Sequence, residues 1–135
     1  MQVNIQSLKG HNCFNEVFQT GKKFYAKNLF SVVLYHTKLP SAPIIHYGVT
    51  ISKRLEKKAA VRNRIKRLLR ESIRLLIKEL KPSSLLNIDR IIFAYQKKLD
   101  PTKQITLNEV MPAVRHILEQ ANLFIIKKNK NENPN

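Results

Sequence analysis

A single cysteine, Cys13, stands in the 135 residues, so no disulfide can form within the chain and a disulfide-stapled scaffold is excluded. Glycine is scarce as well: Gly10, Gly21 and Gly48 are the only three, and none belongs to a phosphate-cradling loop or a nucleophile elbow. The nine acidic residues are scattered, with no pair spaced to cradle magnesium. His11, His36, His46 and His116 show no zinc-type spacing with one another or with Cys13, and no carboxylates flank them at hydrolase-like intervals. No catalytic residue and no protein-bound cofactor is therefore expected. There is no basic-then-apolar N-terminal signal, and no apolar run approaches the roughly 18 residues of a membrane span. The expectation is a soluble, cytoplasmic protein with no membrane partner.

Positive charge is abundant. Lys and Arg number 25 against the nine acids, a formal net charge of +16, well beyond what solubility asks. Between Lys53 and Lys81 stand twelve basic and three acidic residues, so nine of the sixteen net charges fall in one short segment. Charge concentrated in this way is the footprint of a polyanion-binding surface. Apolar residues make up 43% of the chain, enough for one core at this length. A single domain over residues 1–126 is expected, with 127–135 a disordered basic tail.

Along the chain, Asn12 to Thr20 has the spacing of a short helix, with Asn12 placed to cap it, Gly21 to end it, and Phe14, Val17 and Phe18 on one face. Phe24 to Tyr35 turns β-rich and predicts one strand. After Leu39-Pro40-Ser41-Ala42-Pro43, residues Ile44 to Ser52 alternate, with Ile45, Tyr47, Val49 and Ile51 on one side. These two strands are expected to pair antiparallel through the proline-containing loop. From Ala59 to Leu80 the apolar period lengthens to about 3.6, the longest helix, with Ser72 the one small exception in its stripe and Pro82 the stop. Ile88 to Tyr95 predicts a third main strand. Thr106-Leu107-Asn108-Glu109 has capping-box spacing and opens a last helix, in which Pro112 predicts a bend or a later start.

On the long helix Arg62, Lys66, Arg70 and Arg74 recur at every fourth position beside the apolar stripe, with Arg64 and Arg67 extending the row. A solvated helix face ordinarily mixes signs, whereas this one is almost wholly cationic and dominated by Arg. The planar guanidinium fork suits phosphate oxygens and stacks on bases, which favours nucleic acid. A membrane-surface helix would need its apolar face free, and three strands need that face as cover.

Ser52-Lys53-Arg54 followed by Ala60-Val61-Arg62-Asn63-Arg64-Ile65-Lys66-Arg67-Leu68-Leu69-Arg70-Glu71 resembles the signature segment of the bacterial ribonuclease P protein family. Phe14-Asn15-Glu16-Val17-Phe18 with Gly21 is similar to that family's Phe-x-x-x-Phe first helix, and His46-Tyr47-Gly48-Val49 resembles its central strand. With Ile91 to Lys98, the resemblance covers most of the chain from Cys13 to Leu118. It implies an α/β (α+β) two-layer sandwich of four strands and about three helices, with a left-handed crossover between parallel strands, opposite to the usual hand.

The resemblance also implies a role: an RNA-binding subunit that assists a catalytic RNA in removing the 5′ leader of precursor tRNA, binding the leader and lowering the magnesium requirement. The endoribonuclease is then the holoenzyme, with Mg2+ required by its RNA. The implied partners are the catalytic RNA and precursor tRNA, with no protein partner required. Carried over by residue, Lys53, Arg54, Arg62, Asn63, Arg64, Lys66, Arg67 and Arg70 become RNA contacts, and Phe14 and Phe18 line the leader cleft. Two phenylalanines at four-residue spacing also fit a core face. The chain departs from the family pattern in lacking a glycine between Arg54 and Arg62, and in having Lys9 but no Arg-rich start. The alternative is a ribosomal-type RNA-binding protein; a helix-turn-helix DNA binder is disfavoured by the strand-like run before the basic helix.

Overall fold

The computed structural model describes residues 4–80, 84–98 and 104–132. In chain order these form β1 (Asn4–Ser7), α1 (His11–Thr20), β2 (Lys22–Ala26), β3 (Leu29–Tyr35), β4 (Ile44–Ile51), α2 (Ala59–Glu79), a 3-10 turn (Ser84–Asn87), β5 (Ile88–Tyr95) and α3 (Leu107–Glu132). The fold is α+β, with three helices and one five-stranded sheet in the order β1-β4-β5-β3-β2. The strand beyond the expected four is β1. Ile5 is its only apolar residue, too little alternation to mark a strand, and it pairs parallel with β4 at the sheet edge.

The strand expected over Phe24 to Tyr35 is a hairpin. It folds back at Lys27-Asn28, where Asn28 takes φ 65°, a left-handed conformation that asparagine tolerates. The expected antiparallel pairing of β3 with β4 is not formed: β5 lies between them, antiparallel to β3 and parallel to β4. Ile91, Ile92 and Phe93 are all fully buried, on alternating faces, and a strand apolar on both faces belongs in the middle of a covered sheet. α2 is thus the crossover between the adjacent parallel strands β4 and β5.

The two faces of the sheet carry separate cores. Ile45, Tyr47, Val49 and Ile51 of β4 and Ile91 and Phe93 of β5 pack with Ile65, Leu69 and Ile73 of α2 and with Val114, Ile117 and Leu118 of α3. On the opposite face Val17 of α1 packs with Val32 and Ile92, joined by Phe14, Phe18, Phe30 and Leu34. Ser72 fits its fully buried place because its hydroxyl donates to the Leu68 carbonyl at 2.8 Å.

Helix ends differ from expectation at the start of α1 and at the end of α3. α1 begins at His11 with Gly10 at its cap and no side-chain cap, so Asn12 lies inside the helix. Pro82, the expected stop of α2, lies outside the described residues. α3 starts at Leu107, ahead of Pro112, which stands in its second turn, and continues past Ile126 to Glu132. A proline so near an N-terminus forgoes few helical hydrogen bonds. The lysine-rich stretch expected to be a tail holds no helix breaker before Pro134.

Candidate nucleic-acid interface

Four residues on an α-helix turn through about 400°, so a row taken at every fourth position winds about 40° per step around the axis. This decides which of the basic residues of α2 reach solvent. The row Arg62, Lys66, Arg70, Arg74 starts near the buried side, and its first two members are half-buried while Arg70 and Arg74 are exposed. The fully solvent-facing line is instead Asn63, Arg67, Arg70, Arg74 and Lys78, diametrically opposite the buried Ile65, Leu69, Ser72 and Leu76. Among the described residues the ion pairs are His36–Asp89, Arg90–Glu16, Arg90–Asp89 and Arg115–Glu79. None of them uses a cation of this stripe. Arg74 and Lys78 extend it beyond the signature segment; the signal for both was the three-and-four spacing from Arg67 and Arg70.

Arg62 and Arg64 are engaged with the protein itself. One guanidinium nitrogen of Arg62 donates to the Glu56 carbonyl at 2.9 Å and to the Lys57 carbonyl at 2.8 Å. The turn between β4 and α2 has no glycine, and Arg62 braces it from within. Around its start the Arg54 amide donates to the Ser52 hydroxyl at 3.0 Å, and the Leu55 and Glu56 amides donate to the Ser52 carbonyl. Lys53, Arg54, Lys57 and Lys58 remain exposed on this turn. Arg64 points the other way, donating to the Ile105 carbonyl ahead of α3 at 3.1 Å.

The second region is the apolar, aromatic surface on the opposite face of the sheet, beside α1. Phe14 and Phe18 are both half-buried, and Phe14 rests on β4 at Gly48. A Cβ on Gly48 would stand 2.5 Å from the Phe14 ring, so the glycine is required by the phenylalanine above it. Gly21, just past α1, is under similar constraint, its missing Cβ falling 2.4 Å from Val32. The strand registers align Tyr25 with Phe30, Phe30 with Ala94, and Ala94 with Thr50 in one row across the sheet. Phe18 stacks on Phe30 with centroids 6.4 Å apart and planes within 7°, and Tyr25 meets Phe30 at 5.2 Å. The Lys23 ammonium lies 5.9 Å from the Phe30 centroid. Phe30, Tyr25 and Lys23 were missed in the sequence because a single strand over Phe24 to Tyr35 hides the hairpin that brings them together.

Glu16 fixes the other flank of α1. It accepts from Arg90 of β5 at 2.8 Å, and Arg90 also donates to Asp89 at 3.2 Å. The Glu16 hydrogen bond holds the Arg90 guanidinium above its usual pKa against the opposing effect of burial. Among the described residues no three of His, Cys, Asp and Glu gather where they could hold a metal ion.

Set against known proteins, residues 4–122 match the family model described as Ribonuclease P. The chain belongs to the ribonuclease P family. The ribonuclease P protein component of Bacillus cereus is 32% identical over 121 residues, covering 90% of this chain and 95% of that protein. That of Geobacillus kaustophilus is 32% identical over 114 residues, 84% of each. That of Microcystis aeruginosa is 39% identical over 77 residues, 56% of this chain and 63% of its relative, so this match spans a little under two thirds of the relative's length. The solved RNase P protein of Thermotoga maritima superposes with a TM-score of 0.67 over 85% of this chain and 96% of that one, at 18% identity, and shares its fold. The matched residues 4–122 include the α2 stripe and the aromatic surface beside α1.

Proposed function

We propose that this chain is the RNA-binding protein subunit of a ribonuclease P, working in the cytoplasm with a catalytic RNA on precursor tRNA. The observation that carries the proposal is the α2 stripe, in which Arg67, Arg70, Arg74 and Lys78 face solvent with no carboxylate of the described residues paired to them. Aligned cations left unpaired repel one another, and a polyanionic backbone is the partner that relieves them. Lys53, Arg54, Lys57 and Lys58 continue the positive surface around the end of β4, and Asn63 and Lys66 flank it. Arg62 and Arg64 support this surface in the free protein by bracing the segments on either side of it.

The aromatic surface beside α1 serves as the groove for the single-stranded 5′ leader. Bases stack on ring faces without regard to sequence, which suits a leader whose sequence varies, and Phe14, Phe18 and Phe30 supply half-buried rings along one wall and floor. The protein carries no cleaving group in this scheme. The catalytic RNA hydrolyses the phosphodiester with its own magnesium, and the protein's cations offset repulsion between the two RNAs, lowering the magnesium required.

Reconstitution with the cognate catalytic RNA tests this. At low magnesium, addition of the protein should raise the yield of mature 5′ ends from precursor tRNA. No stimulation at any protein concentration would remove the proposal.

A further inference from the structure

Beyond the groove, where the sheet ends, a hollow of about 730 Å3 opens between the edge strand β2 and the C-terminal half of α3, within the size range of sites that hold small ligands. Phe24, Phe124, Leu123 and Ile126 line it, together with the cations Lys22, Lys23 and Lys127. Isolated exposed apolar side chains need no explanation. Here, however, three of the five most exposed large hydrophobics of the described residues line one concavity: Leu123 at 65%, Tyr25 at 64% and Ile126 at 42% exposure. Among the described residues no acidic side chain lines it. The complementary occupant has an apolar face and negative charge.

A nucleotide has both, in its base and its phosphate. Continuity with the groove selects it over an acidic peptide or an anionic bilayer. Tyr25 lines the hollow and also meets Phe30, which stacks on Phe18, so the aromatic row that floors the groove runs over the sheet edge and into the hollow. Lys22 holds its ammonium 5.1 Å from the centroid of Phe124. That contact keeps a cation at the ring, and its flexible stem lets the ammonium turn to a phosphate as a base covers the ring face.

We infer that the hollow binds a nucleotide of the same single strand that occupies the groove, its base against Phe124 and Leu123 and its phosphates at Lys22, Lys23 and Lys127. The inference rests on the function proposed above and adds a second, outer subsite to it.

Anisotropy titrations of the full chain with labelled single-stranded oligoribonucleotides of about five and about twelve nucleotides separate the two subsites. Leu123→Asn, which changes an exposed side chain and no charge, should weaken the longer probe about fivefold or more and leave the shorter one unchanged. Ile126→Asn should do the same. Neither should alter the salt dependence, whereas Lys22→Gln should lower its slope by about one. Phe18→Ala, which reports on the groove, should weaken both probes. If Phe18→Ala weakens both while Leu123→Asn and Ile126→Asn affect neither, the outer subsite is wrong and the groove stands. If none of the three variants affects either probe, the groove fails and the subsite with it. If Leu123→Asn spares RNA but abolishes sedimentation with phosphatidylserine vesicles, the hollow is a membrane site and the inference is overturned.

Discussion

Residue identity alone does not say whether an arginine grips a partner or its own chain. Arg62 belongs to the same signature run as Arg67 and Arg70, yet its guanidinium is spent on the Glu56 and Lys57 carbonyls, while theirs face solvent. The difference comes from phase: Arg62 enters α2 on the side that turns toward the sheet, where a long side chain can reach back under the preceding turn. The two kinds of arginine should separate in salt titrations. Replacing Arg67, Arg70 and Arg74 together with Ala should flatten the log–log salt dependence of binding to the catalytic RNA by about two to three units, one per lost phosphate contact. Arg62→Ala should change that slope by less than about half a unit. It should instead lower stability by about 1 kcal/mol through the lost bracing hydrogen bonds, read as an earlier urea midpoint. A full unit lost from the slope with the midpoint unmoved would place Arg62 among the RNA contacts.

At the scale of elements, α1 is held to the sheet by a fit and a clamp: the Phe14 ring over Gly48, and Glu16 on Arg90. Gly48→Ala would push a methyl into the ring, and since the half-buried Phe14 must shift to make room the cost should be about 1 to 3 kcal/mol. Phe14→Leu removes the obstructing ring edge, so the double variant should recover part of that loss, a non-additivity measurable in a double-mutant cycle by denaturant unfolding. Strict additivity would show that Phe14 does not sit over Gly48 in solution. α2, β4 and β5 were legible in the sequence because each has one strong period or an unbroken apolar run: Ile45, Tyr47, Val49 and Ile51 alternate, and Ile65, Leu69, Ile73 and Leu76 recur at helical spacing. What stayed hidden was set by partners distant in the chain. The place of β5 between β3 and β4 depends on a crossover of more than thirty residues, and β1 has too few apolar residues to announce itself. The stripe was legible in composition but not in phase, because an every-fourth-residue row looks straight on paper and winds on the helix.

On the scale of the whole molecule, the sheet separates the two surfaces proposed to meet RNA, with α2 and α3 packed on one face and α1 on the other. Substitutions in the stripe and in the groove share no neighbours, so their effects on precursor binding by the reconstituted holoenzyme should add within about 0.5 kcal/mol. Strong coupling would mean one continuous site. The core between the layers has its own pH signature. Tyr95, at the end of β5 against the start of α3, is buried, and that burial, reinforced by the nearby Glu109 carboxylate, raises its pKa above the usual value. In the unfolded chain Tyr95 would ionise near its ordinary pKa of about 10, while in the folded protein it holds its proton to higher pH. The folded state therefore binds more protons than the unfolded one across that interval. Its advantage is complete below about pH 10 and is lost as pH rises from there through the raised folded value. Thermal unfolding followed across this alkaline range should show the melting temperature of the native chain falling, and Tyr95→Phe should fall less steeply because it has no proton to lose. Parallel declines in the two proteins would place the alkaline weakness elsewhere, at a group outside this contact between the sheet and α3.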